Sequence, residues 1–183
     1  MLRTMITAIV LTMMAAGGIP AAGPAKDPSE QQVRERYQEL ADKDMIIVTI
    51  NQLFIGTDQR DWSKVKNVFT PEVRFDMTSL VGGSPQVLTP RQIVDGWDKG
   101  LKPLKAIHHQ TGNYIVTVAG NRADAFCYGI ATHYLPTRSG RNVRTFVGSY
   151  DFHLVKNDGV WWIDGFKFNL KYIDGNKGLE KDQ

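Results

Sequence analysis

From Ala106 onward nearly everything in this chain reads as strand, and that constrains the fold more than any other feature. Residues 106–118 turn at Ala119-Gly-Asn121 into residues 122–136. A loop at 137–142 returns as 143–156, and Asn157-Asp-Gly159, a strong hairpin signal, opens 160–172. Strands of about 13 residues are longer than usual. The pattern predicts a strongly bent antiparallel meander with a cavity in its concave face. Residues 173–183 are polar and read as a frayed tail. Arg138, Arg141 and Arg144 gather near one loop and read as a solvated hairpin end.

The first half is helical. Over residues 31–57, Val33, Tyr37 and Leu40 fall at i, i+4 and i+7, one apolar stripe. Asp44 suits an N-cap restarting the helix at Met45, after which Ile46, Ile47, Ile50, Leu53 and Phe54 form a broad apolar face. Gly56 ends the helix and Asp58 follows in a turn. Asp61 caps a short helix over 62–69, stopped by Pro71. Residues 73–77 alternate as a strand, and 79–87 form a loop. Thr89-Pro-Arg-Gln92 is a capping box with proline at the first helical position, opening a helix to about Lys99 that presents Ile93, Val94 and Trp97. Helices first and strands after read as α+β in one domain, residues 26–183.

The first 25 residues read as a signal peptide: a basic start at Arg3, an apolar run over 5–16 and a small-residue exit over 17–25. The mature chain is expected outside the cytoplasm, periplasmic or secreted, with no stable membrane association after cleavage. The only cysteine, Cys127, forms no internal disulfide. At 22% charged residues and a net charge of +3, with no basic run interleaved with aromatics, nucleic acid is not an expected partner. No glycine-rich phosphate loop follows a strand, no serine elbow is present, and no histidine or cysteine spacing suits a metal. No cofactor is expected.

Two histidines stand together at the front of the first long strand. Adjacent strand residues point to opposite faces, so His108 and His109 diverge. With Asn113 taken as an inward partner, His109, Thr111, Asn113 and Ile115 share the inner face. On the strand Phe146, Gly148, Tyr150, Phe152, the Tyr150 phenol faces inward among apolar residues and needs a polar partner there. His109 alone reads as a core histidine before a catalyst, and Asp58 after a helix-ending glycine reads also as a turn former.

Four stretches carry a resemblance: Asp58-Gln-Arg-Asp-Trp62, Phe69-Thr-Pro71 with Arg74-Phe-Asp76, His108-His-Gln-Thr-Gly-Asn113, and Asp158-Gly-Val-Trp161. Across residues 31–172 the chain resembles the SnoaL-like group of the NTF2-like superfamily, in particular its scytalone dehydratase branch. The resemblance implies an NTF2-like or cystatin-like cone, with helices packed in a strongly curved, mostly antiparallel sheet, commonly a homodimer through that sheet. It implies a catalytic aspartate at Asp58, a catalytic histidine at His109 and a second histidine at His133. Pocket tyrosines of that branch fall on Thr57 and Met77, and a serine and an asparagine fall on Gly148 and Tyr150. Phe166 and Phe168 match pocket-lining positions. The departures at those four positions point away from scytalone itself as substrate.

The expectation is a cofactor-free dehydratase or isomerase for a small, apolar, cyclic carbonyl compound of aromatic or polyketide type. His109 is its general acid/base, Asp58 the orienter, Tyr150 the oxyanion donor and His133 a second proton carrier. The alternatives are a non-catalytic ligand-binding protein using the same pocket and a protein-interaction module. An Asp58 carboxylate within hydrogen-bond reach of the His109 ring favours the enzyme.

Overall fold

Four strands of 13 to 16 residues form most of one sheet: β3 (Ala106–Ala119), β4 (Arg122–Tyr134), β5 (Val143–Asn157) and β6 (Val160–Gly175). The computed structural model describes residues 27–183; the expected signal peptide lies outside them. At the Asn157 hairpin, Asp158 and Gly159 both take positive φ, 50° and 80°, as a two-residue turn with the strand's twist requires. β1 (Phe69–Asp76) joins β6 in parallel and β2 (Gln86–Leu88) closes the edge, giving the order β2-β1-β6-β5-β4-β3. Pro71 lies within β1, beyond the end of the preceding helix.

Helix α1 (Glu30–Gln59) runs unbroken through Asp44, which lies exposed and caps nothing. Ser29 and Gln32 form its capping box. Ile46, Ile50 and Leu53 are fully buried against the sheet, each worth roughly 1.5–3 kcal/mol of hydrophobic stabilisation. The Val33, Tyr37 and Leu40 stripe is exposed, at 51%, 74% and 66%. Those turns precede the part of the helix that the sheet covers, and periodicity finds a stripe without finding what covers it.

Gly56 lies inside α1. A Cβ there would stand 3.0 Å from Val65 Cγ2, so glycine lets α2 (Trp62–Lys66) pack closely, and Asp58 falls in the last helical turn. Arg60 ends the helix at φ 53°, unusual for a side-chain-bearing residue. Its guanidinium offsets that cost by donating to the Leu101 and Leu104 carbonyls at 3.3 and 2.7 Å, which ties α1 to the end of α4 (Pro90–Leu101). The Thr89 capping box opens α4 as expected. Between the strands of the 73–88 region, residues read as loop fold into α3 (Thr78–Val81) and β2.

The tail is not frayed. Leu179, in a 3-10 turn over Leu179–Lys181, is fully buried with Leu104, Ile107 and Leu135. The Asp182 carboxylate accepts from Ser139 Oγ and Asn176 Nδ2.

Candidate active site

The concave face of the sheet, with α1, α3 and α4, encloses a cavity of about 320 Å³, near the lower end of ligand-pocket sizes. Phe54, Met77, Leu80, Trp97, Phe146, Phe166 and Phe168 make most of its wall. Few polar side chains reach it: Thr57, His109, His133 and Tyr150. The Thr57 hydroxyl is already committed to the Leu53 carbonyl at 2.8 Å.

Asp58 stands behind His109. Its Oδ1 lies 2.6 Å from His109 Nδ1, and its Oδ2 accepts the His109 backbone N–H at 2.8 Å. A carboxylate in the last turn of a helix meets the negative end of the helix dipole, and these two contacts compensate. An ionised carboxylate has only acceptors to offer, so Nδ1 carries the ring proton and Nε2 keeps its lone pair. Phe54 stacks on the ring at 5.1 Å between centroids. His108 points outward, as alternation requires.

Tyr150 packs between Phe54 and Phe168, with centroids 4.7 and 4.9 Å away. Opposite it, Gly129 leaves the space the ring occupies: a Cβ there would stand 2.2 Å from Tyr150 Cε2. Burial pushes the phenol above its ordinary range, and the nearby Cys127 and Asp58 push the same way. The hydroxyl is therefore a neutral donor, with no hydrogen-bond partner among the described residues.

His133, on β4, has Nδ1 3.2 Å from Arg144 Nη2. Burial first, then the Arg144 charge, pushes its pKa down to about 4. Arg144 in turn holds Glu180 through both Nη atoms of its guanidinium, at 2.8 and 2.5 Å.

Thr57, Met77, His109, His133, Tyr150, Phe166 and Phe168 thus line one cavity, with Asp58 in direct support. Asn113 and Gly148 do not line it. A bulge between Gly112 and Ile115 puts Asn113 at φ 56° on the solvent side. Tyr114 takes the inward place and donates to Asn51 Oδ1 at 2.6 Å, while Ile115 is exposed. Gly148 sits at a second bulge, where a Cβ would stand 2.4 Å from the Asn169 carbonyl oxygen and 2.7 Å from the Phe168 ring. It makes room for Phe168 rather than touching the cavity. Arg144 was read as part of a solvated loop. The alternation that turns Tyr150 inward also turns Arg144 inward, so the signal was present.

A curved sheet wrapped around a helix, with a histidine–aspartate pair in its apolar hollow, defines a protein of the NTF2-like superfamily. The chain belongs to the SnoaL-like domain family, which matches it over residues 38–167. A comparison with curated protein sequences found no match. Among solved structures it is similar to the Kfla4162 protein of Kribbella flavida, at 22% identity and a TM-score of 0.73 over 78% of this chain and 99% of that one. It is also similar to the hexachlorocyclohexane dehydrochlorinase LinA-type3 of Novosphingobium barchaimii, at 14% identity and 0.66 over 78% and 95%. A scytalone dehydratase-like protein of Novosphingobium aromaticivorans matches at 14% and 0.64 over 75% and 89%. At these identities the likeness speaks to the fold.

Proposed function

We propose that this protein is an exported, cofactor-free dehydratase or isomerase acting on a small cyclic carbonyl compound. The observation that carries the reading is the His109–Asp58 contact at 2.6 Å, which leaves His109 Nε2 as the free ring nitrogen beside a largely apolar cavity. That contact supports an enzyme over a passive binding protein using the same hollow. Two of the structurally similar proteins bear names of elimination enzymes, a dehydrochlorinase and a scytalone dehydratase.

In the proposed reaction His109 Nε2 takes a proton from the carbon alpha to the carbonyl. Electron density moves onto the carbonyl oxygen, which accepts a hydrogen bond from the Tyr150 hydroxyl. Asp58 stabilises the imidazolium that forms. The enolate then expels a β-hydroxyl, which leaves as water with the proton that His109 returns. Where no leaving group is present, the same proton returns to another carbon and the double bond migrates. Proton shuttling of this kind contributes about 10²–10⁴-fold.

We further propose a homodimer through the outer face of the sheet. Register places Ile115, Phe126, Tyr128, Ile130, Val147 and Tyr172 on that face, and four of them are among the exposed large apolar side chains.

The test is a screen of cyclic ketones and β-hydroxy ketones by ligand-induced melting shift, followed by turnover assays on wild type and His109→Ala. Ligands that still bind His109→Ala while turnover collapses are the expected result. Turnover that survives the substitution removes this mechanism.

A further inference from the structure

Two histidines reach the cavity, and their Nδ1 atoms face opposite kinds of partner. His109 meets a carboxylate; His133 meets the Arg144 guanidinium. His133 and Arg144 are directly opposed across the β4–β5 pair, so strand register sets their contact. Arginine offers five N–H donors and no acceptor. The only hydrogen bond available has His133 Nδ1 accepting, which requires the ring proton on Nε2. We propose that Arg144 and Glu180 are a positioning pair that holds His133 as a neutral ring protonated on Nε2, giving the cavity a hydrogen-bond donor in place of a second base.

The pair is built to hold that orientation. Glu180 grips both Nη atoms, which fixes the guanidinium plane. Glu180 itself is fixed by its neighbours in the tail: Leu179 is fully buried, and the Asp182 carbonyl accepts from the Arg138 N–H at 3.0 Å. Arg144 Nε is buried without a partner among the described residues. An ion pair serving stability alone gains nothing from an unpaired buried donor, whereas this orientation lets Nη2 reach His133. The charges acting on the His133 ring are mixed: Arg144 and His109 oppose its protonation, Glu180 and Asp58 favour it, and burial decides for the neutral form.

The chemical consequence rests on the enolisation proposed above. The developing enolate oxygen then has two neutral donors in the cavity wall, the Tyr150 hydroxyl and His133 Nε2–H, and His109 alone moves protons. The preferred substrate carries an oxygen acceptor that both donors reach.

Nitrogen-15 NMR on histidine-labelled protein reads the tautomers without substrate. At pH 7 His133 is expected with Nδ1 bare and Nε2 protonated, and His109 with the reverse. In Arg144→Met the His133 proton redistributes over both nitrogens and the titration midpoint rises by about one unit. Glu180→Gln, which loosens the guanidinium while keeping the tail's shape, gives a partial redistribution. A His133 protonated on Nδ1, or doubly protonated, in the wild type at pH 7 overturns the proposal. So does a folded Arg144→Met protein whose His133 signals match the wild type. With a substrate in hand, Glu180→Gln is expected to lower kcat by roughly 10-fold or more with little change in KM; an unchanged kcat overturns the donor role. The expected tautomers without turnover of any ketone leave the positioning pair standing and remove only the enzyme reading.

Discussion

The sheet carries a histidine–aspartate pair on each of its faces. Inside, His109 Nδ1 meets Asp58 Oδ1 at 2.6 Å; outside, His153 Nδ1 meets Asp164 Oδ1 at 2.5 Å. By distance the two are equivalent. They differ in enclosure, since the inner side chains are 12% and 18% exposed and the outer ones 39% and 30%. The groove beside His153 is open and lined by Arg74, Asp76, Asp124, Asp151 and Lys167, so water and mobile charge screen whatever enters it. They also differ in origin. His153 and Asp164 come from adjoining hairpin strands and meet through local pairing. Asp58 and His109 lie 51 residues apart, joined only by the packing of α1 against β3. A hydrogen-bonded imidazole becomes a useful base where its free nitrogen faces a dry, ligand-sized hollow, and only the inner pair has one.

The largest expected effect separates these two pairs by chemistry. Asp58→Asn replaces an acceptor-only group with an amide that can donate to Nδ1, so the lone pair no longer stays on Nε2. Turnover of a ketone found by the proposed screen is expected to fall by about 10²–10⁴-fold. Asp164→Asn, the same change on the outer face, leaves turnover within about twofold of wild type. Equal losses at the two positions would show that enclosure is not what distinguishes them.

A second expectation concerns what acid does to the inner face. In the folded chain the buried, Arg144-facing His133 stays neutral down to about pH 4; unfolded, it takes up a proton near its ordinary 6.5. The unfolded state therefore binds more protons between those values, and stability falls as pH drops from 6.5 to 4. The loss amounts to up to about 3 kcal/mol. Urea unfolding at pH 7 and pH 4.5 measures it. His133→Asn, whose amide oxygen can still accept from Arg144, flattens the slope in that window.

How far the site was legible follows from which residues obey plain alternation. Along β3 the period of two runs unbroken up to Gly112, so the divergence of His108 and His109 was readable before any fold was known. The choice of His109 as the inner one rested on an inward Asn113, and His109 lines the cavity although that premise fails. Asn113 was misplaced because one bulged residue reverses parity for the rest of the strand, and Tyr114 took the inner place. A Gly-Asn pair inside an otherwise β-branched and aromatic run was the available clue, since asparagine tolerates positive φ. The partnership of Asp58 with His109 was not readable from spacing; it came from the resemblance, because nothing local links a helix end to a strand 51 residues on. The tail was misread for a similar reason. A single leucine among lysines and acids looks solvated until the fold supplies Leu104, Ile107 and Leu135 to cover it.

A smaller effect tests whether the inner face depends on its shape as well as its charges. Gly129→Ala places a methyl 2.2 Å from the Tyr150 ring, and the ring lies between Phe54 and Phe168 with little room to move. Forced repacking of this kind costs about 1–3 kcal/mol. The measured urea midpoint should drop accordingly, and turnover should fall with it as the hydroxyl leaves its place. Gly120→Ala offers a control of another kind: the cavity is untouched there, but φ is 61°, so stability falls while the turnover of the folded fraction holds.

The smallest effect belongs to the outer pair itself. His153 and Asp164 are near neighbours on exposed strand surface, and an ion pair of that kind contributes about 0–1 kcal/mol. His153→Ala should therefore shift the unfolding free energy by no more than about 1 kcal/mol, and less at high salt, where screening already weakens the pair. A double-mutant cycle with Asp164→Ala isolates the coupling. A coupling of several kcal/mol, insensitive to salt, would leave two explanations: a cover over the outer pair in solution, for which the proposed sheet-mediated dimer is the first place to look, or a pair that is strong by itself. Val147→Arg, which puts a charge on that face, then distinguishes the cases. If a partner copy shields the pair, the substitution returns the coupling to the exposed range as the dimer dissociates. If the pair is strong by itself, the coupling persists in the monomer and the contrast between the two faces fails at its source.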